Sequence, residues 1–122
     1  MSHPIENAGF EKLKAGWLEA EGVQRREAAL RKSALLERGR SVFEKFGVTQ
    51  VVLFGSVASG RSSLKSDIDL LVWPLAAEIF WTLKYELEEA TGYPCDIHTE
   101  ADDPIFINKV RTRGEVIYGR ET

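Results

Sequence analysis

The chain has 122 residues, 43% of them apolar and 29% charged, with a formal net charge of −3. That is enough chain for one modest core, and its composition argues against disorder along the whole length. No apolar run approaches the ~20 residues needed to span a bilayer. The start, MSHPIENAGF, lacks the basic and apolar segments of a secretory signal. A single cysteine, Cys95, excludes an internal disulfide and a multi-cysteine metal site. A soluble, cytoplasmic protein with no membrane contact is expected.

Charge is divided unevenly. Residues 1–48 carry nine Lys or Arg against seven Asp or Glu; residues 49–122 carry seven against twelve. No basic excess announces a nucleic-acid surface, so stable nucleic-acid binding is not expected. An acidic second half can hold cations, and through them phosphate.

In chain order, Phe10, Leu13 and Trp17 recur at i, i+3 and i+7, predicting a short amphipathic helix that Gly22 ends or bends. A second helix is predicted over about 24–46, with Leu35, Leu36, Val42, Phe43 and Phe46 inward and Gly47 as its cap. Residues 1–24 thus read as a helical extension and 25–122 as the main domain. The run Gln50 to Phe54 is β-branched and aromatic, a buried strand. A loop rich in Gly and Ser follows from Gly55 to Ser66. Asp67 to Trp73 reads as a second strand. Pro74 opens a helix carrying Ile79, Leu83, Leu87 and Ala90 inward, capped by Gly92. Cys95 to Thr99 is a third strand, Asp103 and Pro104 open another helix, and Glu115 to Gly119 is the last strand. Trp73 and Trp81 are core candidates. The order predicts an α/β chain of the α+β type: one mixed sheet with helices packed on it.

Three carboxylates stand out. Asp67 and Asp69 are two apart on a predicted strand, so they share a face, while Ile68 and Leu70 point into the core. Carboxylates that close repel unless a cation joins them, and hard oxygen ligands suit Mg²⁺ or Mn²⁺. Asp96, on the third strand, becomes a third ligand if that strand lies beside the second. His98 shares its face, although an ordinary structural histidine is the plainer reading. Each piece alone is common turn or edge chemistry. Cys95 reads as a buried small side chain rather than a nucleophile.

The combination is specific. Gly55-Ser56 directly follows a buried strand, and ten residues separate Ser56 from Asp67-x-Asp69. The segment VVLFGSVASGRSSLKSDIDLLV resembles the minimal nucleotidyltransferase family of the DNA polymerase beta-type superfamily, and the later CDIHT and EVIYG fall in that family's order. The resemblance runs from about Leu35 to Gly119. It implies the polymerase-beta palm-like fold, with Gly55 and Ser56 on the triphosphate of ATP. It implies Asp67, Asp69 and Asp96 as catalytic residues and ligands of two divalent ions, Mg²⁺ or Mn²⁺. The family commonly has Ala-Arg-Gly after its Gly-Ser; here Ala58-Ser59-Gly60 stands there. Arg61 or Lys65 is then the candidate phosphate cation, and Ser66 a candidate beside Asp67.

Small members of this family resemble MntA-like antitoxins, whose partner is a helical HEPN toxin that they modify on a tyrosine. The leading expectation is therefore AMP transfer from ATP to such a tyrosine. A non-catalytic antitoxin acting by contact is the alternative. A nucleotidyltransferase acting on a small molecule of the aminoglycoside type is a further one, for which the chain has little room to build an acceptor pocket.

Overall fold

A computed structural model describes residues 4–119, with side chains from residue 9. A long helix, α1 (Pro4–Ala34), runs through a wide π turn at Leu35–Gly39 into α2 (Arg40–Lys45). The helix does not end at Gly22. One interior glycine costs a helix only about 1 kcal/mol, and strong helix formers flank this one. Residues 9–20 are exposed on every side, with Phe10, Leu13 and Trp17 each more than half accessible. Only from Ala28 onward does the helix bury a face, through Ala28, Arg31, Ala34 and Leu35. Leu36 lies outside the core, because its neighbour Leu35 takes the inward position. The π turn holds Gly39, where an added Cβ would stand 3.2 Å from a methyl of Leu87. A larger residue there would require the Leu35 and Leu87 methyls to give by a few tenths of an ångström.

The sheet comprises β1 (Gln50–Phe54), β2 (Ile68–Trp73), β3 (Cys95–His98) and β4 (Glu115–Tyr118), in the spatial order β3-β2-β1-β4. β1 pairs antiparallel with both β2 and β4, and β3 lies parallel to β2. The sheet is mixed, as expected. Strand alternation splits it into two faces. On one, Val51, Leu53, Ile68, Leu70, Val72, Cys95 and Ile97 pack against Leu35, Phe43 and two leucines of α4 (Phe80–Thr91), Leu83 and Leu87. On the other, Val52 and Leu71 pack beneath α5 (Pro104–Arg113) through Val110, with Phe54, Trp73 and Phe106 around them. Helix α5 covers only part of this second face.

Helix α4 begins at Phe80, after a 3-10 turn at Ala77–Ile79, rather than at Pro74. The Trp73–Pro74 peptide is cis, and Leu75 turns inward to bury itself before an extended Ala76. Trp81 is 71% exposed, contrary to expectation. It sits two positions before Leu83 and so faces away from the stripe formed by Leu83 and Leu87. Asp103 caps α5 as read, accepting a hydrogen bond from the Ile105 amide at 2.9 Å.

Candidate active site

The site gathers on the α5 face of the sheet, beyond the area that α5 covers. β1 ends at Phe54, and Gly55 opens the short helix α3 (Gly55–Ser59) with a φ of +70°. Phe54 is paired with Asp69 across β1 and β2. The Asp69 side chain lies against the α-carbon of Gly55: a Cβ added there would stand 3.0 Å from the Asp69 carboxyl carbon. Asp69 is in turn the direct partner of Asp96 across the parallel β2–β3 pair. The third strand thus lies where the sequence required it, beside the second and in register. Asp67 is exposed, one residue before β2 begins.

The electrostatics follow from this crowding. Burial first, then the charges of Asp96 and Asp67, push the Asp69 carboxyl up to about 6, with His98 acting in the opposite sense. His98 Nε2 is 3.2 Å from Asp96 Oδ2, and Nδ1 is 3.7 Å from Asp102 Oδ2. Its ring packs against those of Phe54 and Phe106, with centroids 5.6 and 5.0 Å away, and these two rings also touch each other. Among the described residues, no three His, Cys, Asp or Glu side chains are gathered tightly enough to hold one ion as they stand. The donor set nevertheless suits a hard divalent cation: all oxygen, negatively charged and strained by mutual repulsion.

The start of β3 is pinned by α4. Glu88 Oε2 accepts from the Cys95 amide at 2.8 Å and from Lys84 Nζ at 3.0 Å, and Lys84 also donates to the Cys95 carbonyl. Burial works to raise the Glu88 carboxyl, but these bonds hold it below the usual range. Burial pushes the Cys95 thiol up to about 12. A thiol so held is a packing group and no nucleophile.

The loop from Gly60 to Asp67 is organised from its own serines. Ser66 Oγ accepts from the Ser63 amide at 2.7 Å, and Ser56 Oγ lies 3.3 Å from Ser62 Oγ, a buried residue. The Arg61 amide donates to the Ser56 carbonyl at 2.8 Å, while its side chain is exposed. Lys65 lines a groove between the loop and α1, beside Gly16 and Ala20. Gly55, Asp69 and Asp96 are therefore brought together, whereas Lys65 faces α1.

Arg31, which anchors the loop before Asp67, escaped the sequence reading. Arg31 is 2% exposed. It donates to the carbonyls of Ser66 at 3.0 Å and Leu64 at 3.2 Å, and to Glu27 Oε1 at 2.9 Å; its guanidinium covers the Tyr93 ring at 4.5 Å. The loop leading into Asp67 is thus fastened to α1. The available signal was that Ala28, Ala34 and Leu35 flank Arg31 at i−3, i+3 and i+4, which places it on the buried stripe.

The sequence profile of the polymerase beta nucleotidyltransferase family matches residues 39–122. The chain belongs to this family. Among solved structures, a minimal nucleotidyltransferase is 29% identical, with a TM-score of 0.56 over 75% of this chain and 92% of the other. A toxin–antitoxin structure with AMP-PNP is 23% identical, with a TM-score of 0.59 over 66% of this chain and 70% of the other. The toxin–antitoxin MntA-HepT is 21% identical, with a TM-score of 0.51 over 66% of each chain. These last two likenesses are of fold. No curated protein sequence matches the chain. Among the described residues, no helix of this nucleotidyltransferase is long and apolar enough to cross a membrane.

Proposed function

We propose that the protein is a metal-dependent nucleotidyltransferase moving AMP from ATP onto a hydroxyl, the acceptor being a tyrosine of a HEPN-type toxin for which it is the antitoxin. The observation that carries the reading is the register of Asp69 with Asp96 beside Gly55. Asp67, Asp69 and Asp96 are the assigned carboxylates, and the backbone of Gly55 and Ser56 is the assigned phosphate seat. Asp67 and Asp69, with Asp96, would hold Mg²⁺ or Mn²⁺ beside the phosphate seat. Asp96 points the acceptor hydroxyl at the α-phosphorus and takes up its proton, and His98 fixes the Asp96 carboxylate. The divalent ions, when bound, supply positive charge to the hydroxyl and to the leaving pyrophosphate. The MntA-HepT and AMP-PNP neighbours support the choice of partner and nucleotide. The test is intact-mass analysis of a HEPN-type partner after incubation with the pure protein, ATP and Mg²⁺. An adenylyl gain on the partner is expected; no gain with any common metal or nucleotide overturns the reading.

A second reading is favoured by the exposed Phe10, Leu13 and Trp17 on α1: neutralisation of the partner by contact. An Asp67→Asn/Asp69→Asn double variant separates the two. Neutralisation in cells that survives this change supports contact alone; its loss supports catalysis.

A further inference from the structure

Beside Gly55 a cleft of about 380 Å³ opens between α3 and α5. Gly55, Ala58 and Ser59 form one wall, and Phe106, Lys109 and Arg113 line the other. Such a volume suits part of a small ligand. The cleft starts at the residue against which the Asp69 carboxylate rests, so a ligand filling it reaches the carboxylates.

Its charge is the reverse of its surroundings. The second half of the chain is acidic, yet no carboxylate lines this cleft, and two cations do. Lys109 and Arg113 stand four apart on one helical face. Neither makes an ion pair among the described residues, whereas Arg31, Lys32, Lys45 and Lys84 all do. The third cation of this helix, Arg111, lies instead over the Trp73 ring at 4.3 Å. Segment 55–60 carries no cation of its own.

We infer that this cleft seats the β- and γ-phosphates of the nucleotide, held between the α3 backbone and the side chains of Lys109 and Arg113. The inference rests on the nucleotidyltransferase reading and deepens it. During transfer the acceptor oxygen bonds to the α-phosphorus, and its proton passes to Asp96. The bond from the α-phosphorus to the bridging oxygen breaks, and its electron pair leaves with pyrophosphate. Lys109 and Arg113 face that growing charge, which makes them the cations that a loop with Ser59 lacks. Both side chains are exposed at the mouth of the cleft, free to close on a phosphate as charge develops on it.

The test is calorimetric binding of α,β-methylene ATP and of AMP, each with Mg²⁺, to wild type and to Lys109→Gln/Arg113→Gln. A Lys12→Gln/Lys14→Gln variant removes the same charge from the exposed part of α1 and serves as the control. The cleft variant is expected to bind the triphosphate analogue at least tenfold more weakly, with AMP within twofold and the control unchanged. Equal triphosphate affinity in the cleft and control variants overturns the inference and leaves the reading intact. Equal weakening for AMP and the analogue also overturns it, giving the cleft to the nucleoside. A wild-type protein that binds neither nucleotide overturns the reading and the inference together.

Discussion

The Asp69 carboxyl group occupies the space where any residue other than glycine at position 55 would place its Cβ. Gly55 also has a φ of +70°, so two independent constraints fall on one residue. The strand-to-loop turn and the central carboxylate are therefore a single construction.

Gly55→Ala should damage both stability and chemistry. The left-handed backbone alone costs a non-glycine residue about 1–2 kcal/mol, and displacing the carboxyl group adds to that. Gly47 provides the contrast. It has a φ of +68° but nothing within 4 Å of a built Cβ. Gly47→Ala is expected to show the backbone cost alone in urea unfolding and to keep full transfer activity. Gly55→Ala is expected to unfold at lower urea than Gly47→Ala and to lose at least a hundredfold in transfer rate. Equal behaviour of the two variants in both assays would mean that the Asp69 contact is without consequence.

Asp69 is held in its charged form at a cost to the fold. Its carboxyl is raised to about 6 in the folded chain, above the ordinary value near 4. The sign follows directly. Between about pH 4 and 6 the unfolded chain has released this proton and the folded chain still holds it, so stability falls as pH rises through that window. Above 6 both states are ionised and the penalty is constant, reduced by solvent screening because the group is only half-buried. Asp69→Asn removes the penalty. The variant is expected to melt higher than wild type at pH 7.5, by several degrees, and to match it near pH 4, while losing transfer. Mg²⁺ is expected to raise the wild-type Tm and to leave the variant unmoved. A variant that melts lower than wild type at pH 7.5 would contradict this account.

The Gly-Ser turn and its two nearby carboxylates were legible because their grammar is local. A buried strand, a Gly-Ser turn and a fixed spacing to Asp67 and Asp69 lie within one stretch of chain, and strand alternation decides which residues share a face. Asp96 needed one further assumption, that β3 lies beside β2, and the topology satisfies it. The features that stayed hidden are long-range. Arg31 looks like a solvated helix cation until the loop thirty-odd residues later is folded onto it. Lys109 and Arg113 acquire a role only because α5 crosses the sheet opposite α3. The continuity of α1 through Gly22 was illegible for another reason: one unfavourable residue is a weak local signal against a long helix.

Arg31 is the residue whose loss should be felt most at a distance. It is almost wholly buried, with two loop carbonyls and a carboxylate depending on its donors. Arg31→Met removes every donor and leaves those acceptors unpaired, together with the Glu27 charge, which is largely shielded from water. The expected cost is about 3 kcal/mol. Hydrogen exchange should quicken in residues 61–66 before it does in β1. Arg31→Lys keeps a charge but cannot reach several carbonyls at once, so it should recover only part of the loss. Unchanged exchange in the loop of a folded Arg31→Met variant would show that the serine turns hold it unaided.

The exposed part of α1 makes the opposite prediction. Residues 9–20 bury nothing, and the buried face of the helix begins at Ala28. An isolated helix of such a length is marginal in water, and its ordering contributes little to the body it extends from. Removal of residues 1–15 is therefore expected to shift the urea midpoint by no more than about 0.5 kcal/mol in free energy and to leave nucleotide binding unchanged. It stops short of Gly16 and Ala20, which line the groove with Lys65. The truncation does take away Phe10 and Leu13, so affinity for a HEPN-type partner is where a loss should appear, measured by co-purification and titration. A truncated chain that unfolds markedly earlier would place this segment within the folding unit, against the division at residue 24. One that keeps full partner affinity would move the docking surface to the sheet face around the carboxylates, where the proposed acceptor tyrosine would have to arrive.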